Sequence, residues 1–137
     1  MAGYSGTPLP RKLGIKPASR VALVGAPNGF ESLLDPLPEG VRVSRRLGAD
    51  VDVALLFVTR RADLDRRFPQ VARALQPAGG LWVAWPKKSS GVATDLGQLA
   101  VMEIGLGNGL VDNKVCAITD VWSGLRFVVR LADRPAS

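Results

Sequence analysis

The stretch DVDVALLFVTRRADLDRRFPQVARALQPAGGLWVAWPKK, Asp50 to Lys88, decides the fold. It opens on Val51 to Thr59, a nearly unbroken apolar run without the alternation of a one-sided strand, and so predicts a strand covered on both faces. Leu64, Phe68, Val71, Ala72 and Leu75 then fall on one helical stripe, which predicts a helix from about Asp63 to Gln76 with Asp63 or Asp65 as N-cap. Pro69 removes an intrahelical donor and is expected to kink or divide that helix near Arg67. Pro77-Ala78-Gly79-Gly80 reads as a helix stop and turn, and Leu81 to Trp85 as a second strand. Strand, helix, strand is one right-handed crossover, so the core is expected to be a parallel sheet under helices.

Composition bounds what such a sheet can do. A chain of 137 residues is one domain, large enough to bury a core without metal or disulfide staples. Its one cysteine, Cys116, sits in an expected strand with no intrachain partner; this favours a reducing compartment and a buried structural thiol. The first residues hold no hydrophobic signal region and no apolar run reaches the ~18 residues of a membrane span, so a cytoplasmic location with no membrane partner is expected. The chain has no histidine, which excludes Ser-His-Asp and Cys-His nucleophile pairs, histidine bases and the usual zinc sites; no metal is expected. Net charge is +6, with arginine outnumbering lysine 13 to 5. GC-rich coding produces that bias unaided, and so does selection for phosphate binding.

Taken in order, residues 1–19 form a Gly/Pro/Ser-rich arm with a short helix expected around Leu9 to Leu13, Thr7 as its cap, and Tyr4 and Leu9 as packing contacts. Residues 20–132 form the α/β domain, and 133–137 a tail. Arg20 to Gly25 is the first strand, and Ala26-Pro27-Asn28-Gly29-Phe30 turns it into a short helix ending near Leu34. Unpaired N–H groups at such strand-to-helix turns bind phosphates, which makes Gly25, Asn28 and Gly29 cofactor-binding candidates; yet Pro27 removes an N–H and the spacing fits no nucleotide fingerprint. Val41 to Arg45 is the next strand. Only about five residues then precede Val51, with a reach of ~18 Å, so the chain either returns as bare loop or makes an antiparallel edge. A helix follows from about Thr94 or Asp95 to Ile104, where Gly105 to Gly109 serves as its stop. Lys114 to Thr119 and Leu125 to Leu131 close the chain as a hairpin.

This order, with Leu13-Gly-Ile-Lys-Pro17 before Arg20 to Gly25, Asp52-Val-Ala-Leu-Leu, and Leu75-Gln-Pro-Ala-Gly-Gly80 before a strand, resembles the core of class I S-adenosylmethionine-dependent methyltransferases. The resemblance implies an α/β, Rossmann-like fold, a mostly parallel sheet of about six strands with helices on both faces and a C-terminal antiparallel hairpin. At whole-sequence level, Gly79-Gly-Leu-Trp-Val-Ala-Trp-Pro-Lys-Lys88, Val111-Asp-Asn-Lys-Val-Cys116 and Val121-Trp-Ser-Gly-Leu-Arg-Phe127 resemble a family of short bacterial proteins that implies a fold but no activity. The chain departs from the methyltransferase pattern where the cofactor is held. Leu23 and Pro27 replace the acid and middle glycine of its first motif, and Val43-Ser-Arg-Arg46 lacks the carboxylate that accepts the ribose hydroxyls. Ordinary S-adenosylmethionine binding is therefore disfavoured.

What stands in its place is basic. If the strands are parallel, Arg45, Arg46, Arg60, Arg61, Lys87, Lys88, Ser89 and Ser90 reach the sheet edge where open α/β sheets bind ligands. The expected function is a non-catalytic, methyltransferase-like domain binding an anion there: a nucleotide, a phosphorylated metabolite, RNA or an acidic partner. One alternative is a minimal methyltransferase, for which Asp95 and Glu31 are the nearest bases, although both suit helix N-termini better. Another is a structural module, which an exposed Trp82, Trp85 or Trp122 would mark.

Overall fold

The computed structural model describes residues 7–135; Tyr4 and the last two residues of the tail lie outside them. Its core is a six-stranded sheet in the order β2-β1-β3-β4-β6-β5. Strands β1 (Arg20–Val24), β2 (Arg42–Ser44), β3 (Val51–Phe57) and β4 (Leu75–Pro86) are mutually parallel. β5 (Leu110–Ala117) and β6 (Trp122–Val129) form an antiparallel hairpin that adds to β4 through β6. This is the expected Rossmann-like α/β arrangement.

The apolar run of β3 is explained by its two covers. Ala54, Leu56 and Val58 face helices α2 (Arg61–Ala74) and α3 (Gln98–Gly107), together with Leu64, Phe68, Val101 and Phe127. Val53, Leu55 and Phe57 face the other way, onto Leu13 and Ile15 of the N-terminal arm, Phe30, Leu34 and Trp82. The arm's single helical turn, α1 (Leu9–Lys12), leads straight into that second core, where the carbonyl of Leu13 accepts a 3.0 Å hydrogen bond from the indole of Trp82. Trp82 and Trp85 are buried, while Trp122 is half-buried beside Phe57.

β2 pairs parallel to β1, so the chain returns to β3 as bare loop. The short connection suffices because β2 has only three residues. The chain crosses two strand spacings, ~10 Å, and climbs about as far along the sheet. Asp50 takes the left-handed conformation (φ 54°) that aspartate tolerates, which turns the chain into β3.

Four local expectations are corrected. Helix α2 runs through Pro69 undivided, since one missing donor is tolerated in a helix whose Leu64, Phe68 and Val71 are all buried. Neither Asp63 nor Asp65 caps α2; its first N–H, from Arg61, donates instead to Asp95 at 2.7 Å. Gly79 and Gly80 are not a turn, because β4 is already extended from Leu75 and bulges past Asp52. A Cβ on Gly79 would stand 2.7 Å from the carbonyl oxygen of Val51, and one on Gly80 would stand 2.5 Å from Nε of Arg126. Both glycines therefore admit a close neighbour rather than a left-handed backbone. Helix α3 begins at Gln98, later than expected, and runs past Gly105 to stop at Gly109 (φ 86°).

Candidate functional site

Parallel pairing carries the C-terminal ends of β1 to β4 to one rim. Along it lie Gly25 to Gly29, Arg45 and Arg46, Arg60, and Lys87 to Ser90, with the β5–β6 turn beside them. The predicted basic residues thus share an edge, but their donors are not equally available.

Arg45 is spent on the protein itself. Its Nε and Nη2 donate to the two carboxylate oxygens of Glu31 at 2.7 and 2.9 Å, and its Nη1 and Nη2 to the carbonyls of Ala26 and Pro27 at 2.8 Å each. The guanidinium clasps the loop after β1. That hydrogen bond, foremost, lowers the Glu31 carboxyl from 4.5 to about 2. Glu31 is the acid beside the end of β2, and each of its oxygens accepts one bond from Arg45. Arg61 reaches from the start of α2 to Glu103 on α3 at 3.9 Å, a loose exposed pair. Ser90 Oγ donates to the carbonyl of Lys87 at 2.6 Å and serves the turn, while Lys88, Ser89 and Arg46 are exposed. Arg60 borders a shallow hollow with Thr94 and Asp95, whose carboxylate caps α2 and opposes an anion there.

The most telling side chain at the rim is Arg67, named in the sequence only as the point near which Pro69 would kink the helix. It reaches back from α2 to the crevice between β1 and β3, where its Nη1 would stand 3.4 Å from a Cβ on Gly25. It is half-buried and, among the described residues, makes no hydrogen bond or ion pair. Gly25 has φ 72°, and its Cβ would stand 2.9 Å from the carbonyl oxygen of Phe57, so only glycine leaves the crevice open. One signal could have found Arg67: it lies three residues after Leu64 and four before Val71, on the flank of the buried stripe. On the arm side of the rim, the face of the sheet opposite α2, a largely apolar groove of about 320 Å³ runs between Asn28, Gly29 and Leu33 on one side and Thr119, Val121 and Trp122 on the other.

In backbone the chain is similar to the magnesium protoporphyrin IX methyltransferase of Synechocystis PCC 6803 with bound SAM. The TM-score is 0.60, with 11% identity over 89% of this chain and 74% of that one. It is similar also to a SAM-dependent methyltransferase from Aquifex aeolicus (TM-score 0.57, 16% identity, 85% of each chain). A putative methyltransferase from Thermoplasma acidophilum matches at TM-score 0.57 and 9% identity, over 85% of this chain and 70% of that one. No protein-family model and no curated protein matches the chain. The fold is that of the S-adenosylmethionine-dependent methyltransferases; identities this low carry no statement about the reaction.

The residues at the rim do not fit that cofactor well. Its ribose hydroxyls need an acceptor, and the acid beside β2 already accepts twice from Arg45. The carbonyls of Ala26 and Pro27 in the loop after β1 are turned onto the same guanidinium. Among the described residues no helix is long and apolar enough to cross a membrane.

Proposed function

We propose that this methyltransferase-fold domain binds the phosphate of a small phosphorylated molecule at the crevice between β1 and β3, without itself performing methyl transfer. The observation that carries the reading is Arg67: a half-buried guanidinium, unpaired among the described residues, against a glycine at the rim. A half-buried guanidinium without a protein partner has its donors free for the oxygens of a ligand. Arg60 at the end of β3 and Lys87 at the end of β4 stand within one or two strand spacings, ~5–10 Å, and add positive potential. The apolar groove beside Trp122 suits the uncharged part of such a ligand.

The methyltransferase reading is kept as the second one because solved structures of this fold bind SAM. One melting-temperature series decides between them, with pyrophosphate, nucleotides and S-adenosylmethionine added in turn to the wild-type chain and to Arg67→Ala. The anion reading expects stabilisation by phosphorylated compounds that weakens with salt, with affinity about tenfold or more lower in Arg67→Ala. Stabilisation by S-adenosylmethionine alone, worth ~2.7 kcal/mol at a hundred times its Kd, would replace it with the methyltransferase reading.

A further inference from the structure

A second set of cations lies on the opposite half of the sheet, away from the rim. Arg126 on β6 projects to the face that carries the N-terminal arm, since its neighbours Leu125 and Phe127 enter the core beneath α2 and α3. Its guanidinium lies flat on Gly80 of β4: a Cβ there would stand 2.5 Å from Nε, 2.6 Å from Nη2 and 2.7 Å from Cζ. Lys114 on β5 is its direct cross-strand partner, an arrangement in which like charges oppose each other on one face. Arg134 follows β6, held by a 3.1 Å bond from its Nε to the carbonyl of Val129.

No carboxylate answers these charges among the described residues. The ion pairs there are Arg45 with Glu31, Arg61 with Glu103 and Arg66 with Asp63. Arg126 makes one long hydrogen bond, 3.4 Å from Nη1 to the Oδ1 of Asn113. Burial, and after it the charge of Arg134, pushes its pKa down. A guanidinium keeps its proton in proteins, so this cost falls on the fold. Arg126 thus lies over Gly80 beside two like charges with a single long bond to the protein, which leaves most of its donors for an anion.

We propose that Arg126, Lys114 and Arg134 form a second oxyanion site, which takes the phosphoryl group of a small phosphorylated molecule. Arg126 presents its outer fork to two oxygens of the anion, Arg134 neutralises a third, and Lys114 adds a point charge while its Nζ stays bonded to the carbonyl of Lys12 at 3.0 Å. Because Lys12 closes α1 immediately before Leu13, occupancy of this site also bears on how firmly the arm covers Trp82.

The test follows the Nε–H resonances of the arginines in wild-type protein titrated with pyrophosphate, at ionic strength matched with sodium chloride. The Arg126 signal is expected to shift saturably, and Arg134→Gln to weaken the apparent affinity about tenfold. Arg126→Met, which keeps the packing stem, is expected to melt higher than wild type in phosphate-free buffer, because it removes a like-charge contact. An unmoved Arg126 signal, an equal shift with chloride alone, or unchanged affinity in Arg134→Gln would each overturn the site. Arg67 gives a separate resonance, so the rim and this site succeed or fail independently.

Discussion

Gly25→Ala probes the geometry of the rim most directly. Two costs add at this position. An alanine at φ 72° occupies the left-handed region, worth roughly 1–2 kcal/mol against a non-glycine residue. Its Cβ would also stand 2.9 Å from the carbonyl oxygen of Phe57, a backbone atom at the end of the central strand β3 that cannot swing aside; relieving it by shifting β1 against β3 adds about 1–3 kcal/mol, as overpacking does elsewhere. Gly29 supplies the control: its φ of 77° carries the same strain, but nothing lies within 4 Å of its Cβ. Urea unfolding of the two variants should therefore place Gly29→Ala about 1–2 kcal/mol and Gly25→Ala about 2–5 kcal/mol below wild type, the latter lowering Tm by roughly 10 °C in a domain of this size. The new methyl would further crowd Nη1 of Arg67 at 3.4 Å, so residual anion binding by Gly25→Ala should weaken as well. Equal stability losses in the two variants would refute the close approach of β1 to β3, and with it the crevice that Arg67 enters.

Gly105→Ala should cost about 1–3 kcal/mol by urea unfolding although alanine is the better helix former by about 1 kcal/mol, because its Cβ would meet the Phe127 ring, 2.5 Å from Cδ2 and Cζ. That ring is fully buried and held edge-on by Phe68 at 5.3 Å; a stabilised Gly105→Ala would mean that α3 lifts freely from β6. The Arg45 clasp should show in acid. With the Glu31 carboxyl held at about 2 rather than 4.5, its contribution is complete above the higher value and lost as pH falls through the lower one. The Tm difference between wild type and Glu31→Gln should accordingly shrink between about pH 4.5 and 2, and a difference independent of pH would dismiss the pairing.

The crossover from β3 through α2 to β4 was legible because each element carries its own period, unbroken for a strand buried on both faces and a stripe for the helix. Its capping was not, since the acceptor for the Arg61 N–H is Asp95, 34 residues further on, and local rules search only the neighbouring positions. Gly79 and Gly80 misled for a related reason. Glycine marks a turn and a crowded neighbour with the same letter, and here the crowding comes from Val51, Asp52 and Arg126, which sequence adjacency does not supply.

The site was half legible. Parallel strands dictate that Arg45, Arg60 and Lys87 share a rim, and they do. Topology does not say which cations have donors to spare. Arg45 is the most basic-looking anchor of the edge and the most fully consumed, with four bonds to Glu31, Ala26 and Pro27. Arg67 and Arg126, by contrast, sit on an unremarkable helix flank and a mid-strand position, yet each lies against a glycine of another element: Gly25 for one, Gly80 for the other. A missing Cβ lets a planar guanidinium approach the backbone while its outer edge stays turned to solvent, where an oxyanion can meet it. On the proposed reading, then, the glycine opposite an arginine points to a site better than the number of arginines does, because the first marks a guanidinium with donors to spare, whereas a count does not separate Arg45, which the protein consumes, from the rest.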